Sequence, residues 1–352
     1  MNAGALAEAD LFGFDEMSFE MPGAAKEPTV ELLKKEVMGR KAGGSCLLRV
    51  GIPQIGGRLV QAAREAGYPV LFSANAFMVR NEYGEVVRVR KPDPAQFAGL
   101  DAALDSAGYV AMSRYRGFPW TPNQYLDLVE SWPWTWWASM DQCVEPEVAG
   151  CPLSIYMRMA ETCRMYGEMR SMARDRGLKD PMPVIQGWEV QHYLWCLERM
   201  PLAAWPELIG VGSMCRRQVH GPNGLLAVVE ALDRELPKHT QLHLFGVKGT
   251  SLAYLSEHPR VRSVDSMAWD LAARRLHPTG RTADVRIDSM HDWARTNLDR
   301  LAMPAIPYDL KLFDDPASEA SQELQEWLEL VVSNEIDGRS AMAHCMYLWI
   351  GK

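Results

Sequence analysis

Three aspartates have the type and setting for chemistry, each at or just after the end of a short apolar run: Asp105 in LDSAGYV, Asp141 after WPWTWWASM, and Asp265 in VRSVDSMAW. A carboxylate flanked by apolar residues can attack an anomeric carbon, as in retaining glycosyl transfer. Asp265 has that setting, but it is equally placed to cap a helix running through MAWDLAARR. Asp105 carries the same ambiguity, because Asp-Ser-Ala-Gly is also ordinary turn chemistry. Asp141 beside a strongly aromatic run suits recognition of a planar base, since its oxygens can accept the donor edge of guanine; otherwise the tryptophans are core and the aspartate caps the next loop. Tyr109 and Phe245 are candidates to stack on such a base, at about 1–3 kcal/mol per stacked base, although core packing is the commoner fate of an aromatic at a strand end.

Positioning such groups needs a scaffold, and the chain alternates short apolar runs with helical stretches. Strands are predicted at 47–53, 69–77, 102–110, 134–141, 183–188, 208–214, 241–247 and 261–267, and helices include 57–67, 153–177 and 224–236. Eight strands, each followed by a helix or long loop, fit an α/β fold of the (β/α)8 barrel type; a doubly wound open sheet is the alternative. The apolar runs read as strands buried on both faces, as parallel sheets require. In a barrel, polar residues at the strands' C-terminal ends face one mouth. Walking those ends gives Asn75, Asp105, Asp141, Gln186, Gly210 with Gly212, Gly246 and Asp265. Buried carboxylates are costly unless paired or used, so their convergence asks for a functional reason.

The expected organisation is an N-terminal extension (1–44, with a short helix at 29–39), a barrel (45–280) and a C-terminal appendage packed on it (281–352). The appendage holds the Pro-rich stretch MPAIPYD, an acidic helix near 316–335 and an apolar end, SAMAHCMYLWIGK. Met157, Met159, Met165, Met169 and Met172 read as helix core. The glycine steps GGSC and IGGR lack the phosphate-loop pattern.

The 352 residues are 47% hydrophobic and 23% charged, an ordinary globular composition. No run approaches a membrane span, and the acidic N-terminus does not read as a signal peptide, so a cytoplasmic protein is expected. Seven scattered cysteines argue for reduced thiols. Cys215 with His220, or His344 with Cys345, could supply metal ligands, but isolated Cys and His usually just pack. The net charge of −8 counts against a dedicated nucleic-acid binder. A local basic patch can still exist: Arg114 and Arg116, Arg216 and Arg217, and Arg274, Arg275 and Arg281 each follow a predicted strand.

Taken in order, these motifs resemble the tRNA-guanine transglycosylase family. Asp105-Ser106-Ala107-Gly108-Tyr109-Val110 is similar to the family's Asp-Ser-Gly-Gly-aromatic-Gln segment, with Ala107 in place of the first glycine and Val110 in place of glutamine. Asn75-Ala76-Phe77 weakly echoes Asn-Thr-Tyr-His. Asp141 matches the base-recognising aspartate, Ile185-Gln186-Gly187-Trp188 the Val-Gln-Gly-Gly strand, Gly210-Val211-Gly212 the Gly-Gly-Leu strand, and Phe245-Gly246-Val247-Lys248 the Met-Gly-Val-Gly strand. The family's nucleophile falls on Asp265.

The resemblance implies base exchange by a pentosyltransferase through double displacement: Asp265 as nucleophile, Asp105 as acid/base residue, and Asp141, Ser106, Gln186, Gly187, Asn75 and the Gly210, Gly212 and Gly246 steps around the base, with Tyr109 and Phe245 stacking on it. The family's Cys-x-Cys-x-x-Cys zinc module is missing, so no metal or other cofactor is expected. The chain therefore looks closer to the divergent paralogues that place a 7-deazaguanine such as preQ0 into DNA, the DpdA type. Expected partners are DNA and the 7-deazaguanine base, with an accessory protein and a homodimer both compatible. The alternatives are a transglycosylase or N-glycosidase acting on tRNA or a free nucleoside, and a noncatalytic binding subunit, against which the presence of both Asp105 and Asp265 counts.

Overall fold

A computed structural model describes residues 46–215 and 217–308. The chain starts with strand β1 (Leu47–Ile52), helix α1 (Arg58–Glu65) and β2 (Val70–Ser73), then a β-hairpin of β3 (Met78–Arg80) and β4 (Val86–Val89). There follow α2 (Pro94–Phe97), β5 (Ala102–Asp105), α3 (Gly108–Tyr115), α4 (Pro122–Glu130), α5 (Pro146–Ala149) and the long α6 (Pro152–Asp175). The second half alternates β6 (Val184–Ile185), α7 (Val190–Arg199), β7 (Leu208–Val211), α8 (Leu225–Glu235), β8 (Gln241–Leu244), α9 (Leu252–Leu255), β9 (Val261–Ser266) and α10 (Ala268–Leu276), and α11 (Ala283–Ala302) follows.

Seven strands form one curled parallel sheet in the order β5-β2-β1-β9-β8-β7-β6. Read around, this is the chain order with the break between β5 and β6. There is no reversal of the kind that defines a doubly wound sheet, so that alternative is set aside. The strands form where apolar runs are buried on both faces: β1 buries every residue after Leu47, and β7 every residue after Leu208.

The predicted strand 134–141 is not a regular strand. Residues 135–139 make only isolated parallel bridges, Leu104 to Trp137 and Ala138 to Met182. Their backbone bonds nevertheless span the break: Ala138 N donates to Leu104 O (2.9 Å) and Ser139 N to Met182 O (2.9 Å). Two predicted strands also run too far. Residues 74–76 turn in a 3-10 helix, and Gly108, Tyr109 and Val110 open α3.

The core has two main apolar clusters. One gathers Phe72, Phe77, Phe97 and Trp134, with Phe72 stacked on Phe97 at 4.7 Å; the other surrounds Tyr193, Val211 and Leu244. On α6, Met159, Met165 and Met169 are buried, whereas Met157 lies on the opposite face and is 63% exposed, which corrects the reading of the whole methionine stripe as core. Helix α11 packs against α1, α9 and α10; Arg58 on α1 pairs with Asp284, and Tyr68 bonds His291 Nδ1 at 3.0 Å. The helices predicted at 29–39 and 316–335 and the apolar C-terminus lie outside the described residues.

Candidate active site

Asp105 and Asp265 lie at the C-terminal ends of β5 and β9, and Asp141 follows the bridged segment 135–139. Asp141 is the most tightly held. Ser106 Oγ donates to its Oδ1 at 2.6 Å and Gln186 Nε2 to its Oδ2 at 2.6 Å. Gln186 Oε1 in turn accepts from Ser213 Oγ at 2.7 Å, and Ser213 Oγ accepts from Val144 N at 3.1 Å. The whole chain of groups is buried, so each bond is worth more than in water and the amide orientation of Gln186 is fixed by its two partners. Burial pushes the Asp141 carboxyl up, and the Ser106 and Gln186 bonds oppose that rise.

Two glycines make this packing possible. A Cβ on Gly108 would fall 2.5 Å from Asp141 O, and one on Gly212 would fall 2.1 Å from Gln186 Nε2. Any side chain at either position would displace the carboxylate or the amide.

Asp105 ends β5. Its Oδ2 accepts from Ala107 N at 3.0 Å, which makes the turn into α3. The turn reading of the LDSAGY segment therefore holds, and the carboxyl lies at the C-terminal end of β5. Burial first, then the nearby charges of Asp141 and Asp265, raise it well above the ordinary aspartate value. The turn forces Ala107 into the left-handed region (φ 68°, ψ 34°), where the resembling family has glycine.

Asp265 lies in β9 and does not cap α10; Ser266 Oγ accepts from Ala268 N instead, at 3.3 Å. Its Oδ1 accepts from Gly246 N at 3.0 Å and lies 3.3 Å from His243 Nε2. Arg49, directly across on β1 in register, adds a positive charge that Asp265 feels. Arg49 is itself buried and anchored to Asp101 at 3.0 Å.

Residues 63–314 match the family model described as DpdA, DeoxyPurine in DNA protein A, a span of well over half the chain. The chain belongs to the DpdA family. That family consists of DNA 7-deazaguanine transglycosylases related to the tRNA-guanine transglycosylases, so DNA is the substrate that DpdA membership implies. No curated protein matches this chain.

The other residues expected from the sequence are divided. Phe245 sits half-buried against His243 (4.5 Å) and Trp136 (6.2 Å), edge-on to both. Tyr109 is half-buried on α3 and not on a strand. Asn75 Oδ1 is taken by Arg80 (2.6 Å) and the Tyr115 hydroxyl (3.4 Å), so it holds the β3–β4 hairpin. The Gly212 amide donates to Ile185 O (2.9 Å) and its carbonyl accepts from Tyr193 (2.7 Å), while the Gly210 amide bonds Pro183 O (2.8 Å). These amides serve the sheet, and the contribution of Gly212 is the room it leaves for Gln186. Gly187 O accepts from Arg217 at 3.1 Å.

Among the arginines, Arg114 and Arg116 are both exposed on the chain that follows the Asp105 strand. Arg217 corrects its expected place as a nucleic-acid contact: it is only 4% exposed, it donates to the carbonyls of Gly187, Trp188 and Asn223, and it lies over the Trp188 ring. A guanidinium spent on buried carbonyls cannot reach a phosphate. Arg274 pairs with Asp270 at 3.1 Å, Arg275 is exposed, and Arg216 lies outside the described residues.

The zinc site of the tRNA enzymes has no counterpart among the described residues: no three His, Cys, Asp or Glu side chains are gathered as metal ligands, and Cys215 packs against Gly246. His344 and Cys345 lie outside those residues. The six described cysteines are free thiols.

Three residues here are not among the sequence candidates. His243 shares a strand face with Phe245 at a spacing of two, a signal that strict alternation carries. Ser213 directly follows the glycine step. Glu145 is a buried carboxyl raised by burial, and nothing in its local sequence marks it.

Proposed function

We propose that this chain exchanges guanine in DNA for a 7-deazaguanine such as preQ0, by double displacement through a covalent Asp265–deoxyribosyl intermediate. The observation that carries the reading is the convergence of three carboxylates in three different settings. Asp265 has donors on one oxygen and an adjacent cation, which suits an ionised nucleophile. Asp105 is held toward its protonated form, which suits a group that gives a proton to the departing guanine and recovers one from the incoming base.

Asp141 is fixed in place with acceptor capacity to spare. A carboxylate offers about four lone-pair sites; Ser106 and Gln186 occupy two, and the other two match the paired N–H donors of a guanine-like edge. Ser106, Gln186, Gly187 and the Gly210–Gly212 and Gly246 strand ends wall this pocket, and Tyr109 and Phe245 stack on the base. The target nucleotide must leave the duplex stack to arrive there, with Arg114, Arg116 and Arg275 gripping the flanking phosphates.

We further propose that residues 135–139 serve as the eighth stave, closing the sheet into a (β/α)8 barrel whose mouth is this site. We read 45–280 as the barrel and 281–352 as an appendage to it; of the described part of that appendage, α11 packs on α1, α9 and α10. Among the described residues no helix is long and apolar enough to cross a membrane, and we place the protein in the cytoplasm.

The test is base incorporation by the purified chain, with radiolabelled preQ0 or guanine offered to duplex DNA, tRNA and deoxyguanosine in separate reactions. Label retained in DNA is expected. Label confined to tRNA or to the nucleoside would overturn the acceptor, and no label in any acceptor would overturn the exchange itself.

A further inference from the structure

Resting on the reading of Asp265 as nucleophile, the surroundings of that carboxylate assign a role to a residue outside the base pocket. His243 on β8 pairs in register with Ser263 on β9, two residues before Asp265. Its side chain is completely buried. Its ring is enclosed by Trp136 at 4.7 Å and Phe245 at 4.5 Å. Nε2 lies 3.3 Å from Asp265 Oδ1, and Nδ1 lies 2.8 Å from Ser263 Oγ.

The carboxylate decides the tautomer. A lone pair on Nε2 facing Oδ1 would be repelled, so the proton belongs on Nε2, and Nδ1 accepts from the Ser263 hydroxyl. Burial also lowers the basicity of His243, more than Asp265 restores it. The ring is therefore a neutral donor that leaves the negative charge on the carboxylate. Gly246 N donates to the same Oδ1 at 3.0 Å, whereas Nε2 lies within ion-pair distance but outside hydrogen-bond geometry, a buried donor with no partner of its own beside an oxygen already held.

We propose that His243 is a positioning residue that, with Gly246 N, engages Asp265 Oδ1, leaves Oδ2 as the attacking atom, and stabilises the carboxylate again when it departs. In the first half-reaction an Oδ2 lone pair forms the bond to C1′, the C1′–N9 bond breaks, and its electron pair leaves with guanine, which takes the Asp105 proton. In the second, N9 of the incoming 7-deazaguanine bonds C1′ as its proton passes to Asp105, and the C1′–Oδ2 electron pair returns to the carboxylate. The returning charge is shared with Oδ1, where Gly246 N already donates and the unpartnered Nε2 lies close enough to tighten onto the oxygen as charge builds. Ser263 holds the tautomer and, with Trp136 and Phe245, the ring plane.

The experiment compares His243→Leu and His243→Gln with wild type, using denaturant-resistant protein–DNA adduct formation, kcat and KM for the incoming base. Leucine removes the donor, whereas the glutamine amide can present an N–H near the place of Nε2. His243→Leu is expected to lower kcat roughly 100-fold, the scale of a lost oxyanion donor, with KM for the base near wild type. His243→Gln should recover most of the rate. A folded His243→Leu protein with wild-type kcat would overturn the proposal. So would equal impairment of both variants, which is what a packing role alone produces. If wild type itself forms no adduct, the nucleophile assignment fails first, an outcome distinct from any difference among the variants.

Discussion

Asp105 and Asp265 are both carboxyls at C-terminal ends of strands in one sheet, yet their neighbours differ in kind: Asp105 faces two like charges, Asp265 faces the Gly246 N–H and Arg49. Such a division separates acid from nucleophile, and it has a thermodynamic signature. Asp105 keeps its proton in the folded protein to a higher pH than in the unfolded chain. Between the ordinary aspartate value and its raised value the folded state binds more protons, so its contribution to stability falls as pH rises. Asp105→Asn removes that loss while its oxygen can still accept from Ala107 N. At pH 7 the variant should melt a few degrees above wild type, on the scale of about 1 kcal/mol, with the gain shrinking toward pH 3, while exchange drops by roughly 10²–10⁴. A variant no more stable than wild type at pH 7, measured by thermal unfolding, would count against a proton held on Asp105. Asp265→Asn should retain the fold, since its amide oxygen can still accept from Gly246 N, and lose base exchange altogether; a full rate in the incorporation assay would remove Asp265 as nucleophile.

At the level of elements, the site depends on how closely strand ends approach. The start of α3 lies against Asp141 because residue 108 has no side chain, and β7 lies against the Gln186 amide because residue 212 has none. Gly108→Ala and Gly212→Ala should each cost about 1–3 kcal/mol, as overpacked core sites do, and raise KM for the base more than mutation of an exposed glycine such as Gly84. Denaturant melts with KM measurements would check both.

Most of these elements were legible in the sequence because parallel strands buried on both faces leave apolar runs, as at β2 and β7. The segment 134–141 looked the same, but it engages its neighbours only through isolated bridges. The β3–β4 hairpin was not legible: its strands are short and its exposed Arg88 and Val87 break the alternation. Asp265 could not be told from a helix cap without seeing that Ser266 takes that bond. His243 is marked in the sequence by its spacing of two from Phe245, but its approach to Asp265 comes only from the pairing of β8 with β9.

Across the whole molecule the net charge of −8 opposes a polyanion, so binding to DNA must depend on where cations stand unneutralised. On the flank of α6, Arg164 pairs with Glu161 and Glu168, and Arg170 and Arg174 with Asp180. Arg114 at the Asp105 end is exposed and lies over the Tyr115 ring at 5.7 Å, away from any such pairing. Arg114→Gln and Arg116→Gln should each weaken DNA binding and lower the slope of log affinity against log salt by about 1, whereas Arg164→Gln should leave the slope unchanged; titrations across a salt series would separate them. The most direct measurement of the central assignment is peptide mapping by mass spectrometry of protein denatured during turnover on guanine-containing duplex DNA. A deoxyribosyl adduct on the peptide bearing Asp265, present in wild type and absent in Asp265→Asn, is the predicted result. Exchange proceeding with no adduct, or with the adduct on Asp105 or Asp141, would contradict it.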